Sequence, residues 1–134
     1  MKEKACILIA DDSMDNCTMM AALLGHVGYA VETARTAADA LRLARDKECD
    51  LYVIDSYFTD ARGTDLCRQI RALDPLAPVI FYSTAYGEAE AEAALQAGAH
   101  AYVVKPDIDG LLRTIARLLD KAGKGADPAL FLFN

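Results

Sequence analysis

Residues 6–13 read CILIADDS, an apolar run that ends abruptly in two acids and a serine suited to capping a helix. A short apolar run without alternation suits a strand buried on both faces of a parallel sheet. The pattern returns at LYVID (51–55), VIFYS (79–83) and AYVVK (101–105), each run ending in a polar or charged residue. A fifth stretch, YAVETA (29–34), alternates Val31 and Thr33 with Glu32 and small alanines. That alternation fits an edge strand with one more exposed face.

Segments of helical period lie between these runs. Ser13 opens the first, with Met14, Cys17, Ala21 and Leu24 on one face and Gly25 to Gly28 as its stop. Thr36 to Asp39 resembles a capping box for a second helix bearing Leu41 and Ala44. Thr64 is expected to cap a third, with Leu66, Ile70 and Leu73 inward and Asp74-Pro75 at its end. A fourth runs from about Glu88 to Ala97 against Gly98, and a fifth from Ile108 to Lys121 with Leu111, Ile115 and Leu118 in one stripe. Strand and helix thus alternate five times, which predicts a doubly wound α/β domain with a five-stranded parallel sheet, five helices and right-handed crossovers. Periodicity alone does not fix the strand order, but the alternating second run beside the continuous first favours the second strand outside the first, as in the order 2-1-3-4-5 of flavodoxin-like sheets.

A chain of 134 residues accommodates one ordinary domain, here residues 1–122, followed by a C-terminal tail at 123–134. Within that tail Leu130, Phe131, Leu132 and Phe133 are costly to expose, which favours packing back on the domain over meeting a partner or fraying. The net charge of -6, without a basic stripe, predicts no direct binding to nucleic acid and no attraction to anionic membranes. No apolar run approaches the roughly 20 residues that span a bilayer. The N-terminal MKEKACILIA is interrupted by Asp11 and Asp12 before it reaches signal-peptide length, so a cytoplasmic protein is expected. Cys6, Cys17, Cys49 and Cys67 show no metal or disulfide spacing and read as reduced packing residues.

Open parallel sheets bind ligands beyond the carboxyl ends of their strands. Here those ends carry Asp11-Asp12, Asp55, Ser83-Thr84 and Lys105-Pro106. With strands one and three adjacent, the three carboxylates converge, and their repulsion calls for a cation. Oxygen donors without a nearby His or Cys select a hard ion such as Mg²⁺. Lys105 adds a fixed positive charge to the same pocket. A carboxylate flanked by a metal ion, an ammonium group and a hydroxyl suits phosphoryl transfer, with Asp55 as the nucleophile that becomes an acyl phosphate. Ser83 and Thr84 both offer the hydroxyl, and the residues alone leave that choice open.

With their spacings, ILIADDS (7–13), DLYVID (50–55), Gly63, PVIFYS (78–83) and QAGAHAYVVKP (96–106) resemble the response-regulator receiver domain of two-component systems over about residues 4–121. The resemblance implies a signalling domain phosphorylated on Asp55 by a sensor histidine kinase or phosphotransfer protein, and a downstream protein partner. Its catalysis would be confined to its own phosphorylation and dephosphorylation. It further implies Mg²⁺ held by Asp12, Asp55 and the backbone carbonyl of Tyr57, with Asp11 acting through water, Lys105 on the phosphoryl group and a cis Lys105-Pro106 bond. Family spacing favours Ser83 over Thr84 as the switch hydroxyl, because Ser83 is fifth after Pro78 and 22 residues before Lys105. Tyr102 would be the aromatic switch that turns inward when that hydroxyl moves.

The sequence departs from the pattern at two places. Thr59 stands where proline is common, and Tyr57 brings a bulky side chain to the rim where water must approach, which predicts slow self-dephosphorylation. Other readings fit less well. A flavin phosphate would face three carboxylates, and a phosphatase of the haloacid-dehalogenase type needs a second acid where Tyr57 stands. An inactive receiver would not retain the acids, hydroxyl and lysine together.

Overall fold

The computed structural model describes residues 4–123. Along the chain run β1 (Cys6–Ala10), α1 (Met14–Val27), β2 (Ala30–Ala34), α2 (Ala37–Asp46) and β3 (Leu51–Ile54). These are followed by α3 (Gly63–Leu73), β4 (Val79–Ser83), α4 (Glu88–Gln96), β5 (Ala101–Val104) and α5 (Ile108–Lys121). All strand pairs are parallel and the sheet order is β2-β1-β3-β4-β5, as expected for the flavodoxin-like fold. The apolar tail at 130–133 lies outside the described residues.

Alternation along each central strand feeds two cores, one on each face of the sheet. Leu8 and Ala10 of β1 join Ile54, Leu66, Ile70 and Phe81 in one cluster under α2, α3 and α4. Ile7 and Ile9 join Leu24, Leu51, Ile80, Leu111 and Ile115 in the other, under α1 and α5. Each such buried aliphatic side chain contributes about 1.5–3 kcal/mol relative to exposure. Both cores rigidly set the tips of β1, β3 and β4. Among the described residues no helix is long and apolar enough to cross a membrane.

The expected ends of α1 and α2 are present. Ser13 Oγ accepts from the Asn16 amide at 3.2 Å, Thr36 Oγ1 accepts from the Asp39 amide at 3.1 Å, and Gly28 closes α1 at φ 115°. A second acid, Asp60 from the β3–α3 loop, also accepts from the Ala37 and Ala38 amides at 2.9 and 3.0 Å. Those two amide donors hold the Asp60 carboxyl below its ordinary pKa.

Three local expectations need correction. Thr64 is not the cap of α3: the helix begins at Gly63, preceded by Arg62, whose side chain makes no capping bond. Tertiary packing sets that start, because the Gly63 amide donates to Ser56 O at 2.7 Å. A Cβ at Gly63 would collide with the Asp55 carbonyl oxygen and lie 2.9 Å from the Phe81 ring and 3.0 Å from Ser56 Cα. Leu73 is 46% exposed, because the inward stripe of α3 is Gly63, Leu66, Cys67 and Ile70, leaving the helix's last residue at its margin. Strand β5 is not buried on both faces: it has a single neighbour, β4, and Val104 is 41% exposed.

At the opposite end of the sheet from the acids, Arg71 clamps two loops. Its guanidinium donates to Ala77 O at 2.6 Å and Gly98 O at 2.5 Å. His100 Nδ1 accepts from the Val79 amide at 3.2 Å beside that guanidinium. Burial and then the Arg71 charge push the His100 pKa down. The four cysteines are free. Cys6 and Cys49, distant in sequence, meet with their sulfurs 3.4 Å apart, and burial raises both thiol pKa values.

Candidate functional site

Register delivers the acids to one level. Ala10 pairs with Ile54, so Asp11 and Asp55 leave adjacent strands side by side, with Asp12 next along the chain. Across the sheet Ser83 pairs with Val104, and the Lys105 amide donates to Ser83 O at 2.8 Å, which sets Lys105 at the same rim. Carboxylate oxygens of Asp11, Asp12 and Asp55 lie within 4.8 Å of one another. Lys105 Nζ bridges two of them, 2.7 Å from Asp11 Oδ2 and 3.1 Å from Asp55 Oδ2, and sits 5.7 Å from the centre of the Tyr82 ring. The Lys105–Pro106 bond is cis.

Electrostatics make this an acid-rich pocket with one fixed cation. Burial lowers the Lys105 pKa, but hydrogen bonds and charge from Asp11 and Asp55 outweigh it and leave the ammonium above its ordinary value. Lys105 therefore stays charged at neutral pH. Three carboxylates facing one ammonium group retain excess negative charge, and an all-oxygen donor set of this kind fits a hard metal ion. Asp11 is buried and heavily engaged: besides Lys105, it accepts from the Ser13 amide at 2.9 Å and Asn16 Nδ2 at 3.4 Å. Asp12 is exposed and Asp55 half-buried, so their oxygens are the more open ones.

The neighbouring hydroxyls separate clearly. Ser83 is 1% exposed and its Oγ accepts from the Ala85 amide at 3.1 Å, whereas Thr84 points to solvent. Tyr102 is half-buried, stacks on Phe81 with ring centres 5.8 Å apart, and donates to Ala85 O at 2.6 Å. Tyr57 is 54% exposed, and its hydroxyl donates to Glu90 Oε1 on α4 at 3.2 Å.

The sequence reading overlooked Ser56 and Asn16. Ser56 is buried, its amide donates to Asp55 Oδ1 at 2.7 Å, and its hydroxyl lies 3.2 Å from the Tyr102 hydroxyl. Adjacency to Asp55 was the only signal for it. Asn16 could have been noticed as the polar residue one helical turn after the acid pair.

A family model described as the response regulator receiver domain matches residues 7–116, across the acids, the buried serine and the lysine. The chain is a response-regulator receiver domain. It is 37% identical over 121 residues to the transcriptional regulatory protein ZraR of Salmonella typhimurium, covering 89% of the chain and 27% of that protein. The receiver therefore spans about a quarter of that relative's length. Among solved structures it is similar to a CheY-like response regulator receiver domain protein of Methanospirillum hungatei, with 30% identity and a TM-score of 0.86 over 91% of this chain and 98% of that one. A chemotaxis protein of Vibrio cholerae gives 27% identity and a TM-score of 0.83 over 87% of this chain and 100% of that one. This receiver carries the acidic pocket of phosphoacceptor sites in two-component systems.

Proposed function

We propose that Asp55 is the phosphoacceptor of this receiver and Mg²⁺ its ion, with a sensor histidine kinase or phosphotransfer protein as donor and a protein partner downstream. The reading rests above all on the convergence of Asp11, Asp12 and Asp55 within 4.8 Å beside an ammonium group that contacts Asp55 directly. An Asp55 oxygen attacks phosphorus in line. The bond from phosphorus to the donor's nitrogen or oxygen breaks, and an acyl phosphate remains on Asp55. Asp12, Asp55 and the Tyr57 carbonyl are the proposed ligands of the ion, with Asp11 one water further out. When bound, the ion would neutralise charge on the attacking and transferred oxygens.

Lys105 is the proposed partner of the phosphoryl oxygens, following them after releasing Asp55 Oδ2. Ser83 is the proposed switch hydroxyl in preference to Thr84: it is buried at the tip of a central strand, and its hydroxyl can exchange the Ala85 amide for a phosphoryl oxygen. Tyr102 is the proposed aromatic switch. The exposed Tyr57 side chain at the rim supports slow loss of phosphate by shielding. A cytoplasmic location, expected because Asp11 and Asp12 interrupt the N-terminal apolar run, and the lack of direct nucleic-acid contact, expected from the net charge of -6, are part of this proposal.

The test is incubation with a small acyl-phosphate donor and Mg²⁺, read by intact mass. One phosphoryl adduct, abolished by Asp55→Asn and by chelator, is expected. An unchanged mass with several donors refutes the proposal and points to a receiver that acts by binding alone.

A further inference from the structure

The buried hydroxyl of Ser56 has no part in the chemistry described above, yet it sits between the phosphoacceptor and the aromatic switch. Proton bookkeeping fixes the direction of its hydrogen bond. A tyrosine hydroxyl has one proton, and that of Tyr102 is given to Ala85 O at 2.6 Å. The 3.2 Å contact between Ser56 Oγ and Tyr102 Oη is therefore donated by serine. At the other end of the same residue, the Ser56 amide donates to Asp55 Oδ1 at 2.7 Å. Ala85 completes the chain, because its carbonyl holds Tyr102 while its amide holds Ser83 Oγ at 3.1 Å.

We propose that Ser56 is a positioning residue that couples the Asp55 carboxylate to the aromatic switch: its amide grips Asp55, and its hydroxyl holds the Tyr102 ring in its inward position. The inference rests on the phosphoacceptor reading of Asp55 and deepens it. Tyr102 has two anchors in its inward position, Ser56 and the Ala85 carbonyl, besides its stacking on Phe81. Removing the serine anchor leaves the carbonyl anchor and the stacking, so the ring is loosened and not expelled. Loss of one neutral hydrogen bond shifts the ratio of inward to outward rings about fivefold toward outward.

The experiment uses the full chain with fluorine-labelled tyrosine and follows the ring signals by NMR, with Tyr102→Phe assigning the relevant one among six tyrosines. In Ser56→Ala the Tyr102 signal should shift or split toward the outward form by about that factor, while the other five signals report an intact fold. Ser56 borders a cavity of about 180 Å³, and Ser56→Thr, which keeps the hydroxyl, should restore the inward signal. A Tyr102 signal unchanged in Ser56→Ala, or not restored in Ser56→Thr, overturns the proposal. In parallel, intact mass after acyl-phosphate treatment checks the parent chain. After phosphorylation, a Tyr102 signal that reaches the inward form in Ser56→Thr and falls short of it in Ser56→Ala supports the coupling, and equal end positions in the two overturn it; no adduct on the parent overturns the underlying reading, and the coupling with it.

Discussion

Replacing Asp12 with Asn should stabilise the metal-free receiver and blunt its response to Mg²⁺. The substitution removes one charge from a cluster whose carboxylate oxygens lie within 4.8 Å, while keeping the side chain's shape. At that separation a like-charge pair costs about 1 kcal/mol in water and about 3 kcal/mol at an effective dielectric of 20. Asp12 is exposed, so the lower figure applies to each of its two repulsions, and attraction to Lys105 offsets part of them. The net gain is about 1 kcal/mol, or about 4 °C in Tm for a domain of this size. On the proposed Mg²⁺ site the ranking should reverse. At a hundredfold excess over Kd, an ion that binds only the folded state adds about 2.7 kcal/mol to the parent, and a variant with one ligand fewer gains less. Urea unfolding in chelator and in Mg²⁺ measures both effects. A variant less stable than the parent in chelator, or an equal gain from Mg²⁺ in both, would refute a shared acidic cation site.

Other consequences can be checked separately. Gly63→Ala drives a methyl group into the Asp55 carbonyl and the Phe81 ring and should cost about 2 kcal/mol or more, seen as a lower urea midpoint; an unchanged midpoint contradicts the close approach. The Asp60 carboxyl has a folded pKa below its unfolded one, so its contribution is present above the unfolded value and fades as pH falls through the folded one. Asp60→Asn should accordingly flatten part of the acid limb and speed exchange of the Ala37 and Ala38 amides. His100 should titrate below 6.5 by NMR, so protonation favours the unfolded chain and stability drops as pH falls from about that value; titration above it would contradict the contact with Arg71 and Val79. Tyr57→Asn should hasten loss of phosphate from Asp55 by opening the rim, and equal half-lives by intact mass would count against shielding.

By itself the sequence determined the alternation and the acid set at 11, 12 and 55 with Lys105, and it favoured the strand order without fixing it. Continuous apolar runs demand two covered faces, and the residues closing those runs must emerge at one edge of a parallel sheet. Between Ser83 and Thr84 the residues alone were neutral; burial at the tip of a central strand separates them physically. Thr64 misled because a capping residue is only a local preference, whereas the start of α3 is decided by Gly63 meeting the Asp55 carbonyl across the chain. The Arg71 clamp, the Cys6–Cys49 contact and the Ser56–Tyr102 hydrogen bond were invisible for the same reason. Each joins groups brought together by the tertiary fold, and no local period or cap encodes which of them will meet; only packing of both helix layers onto the sheet does that.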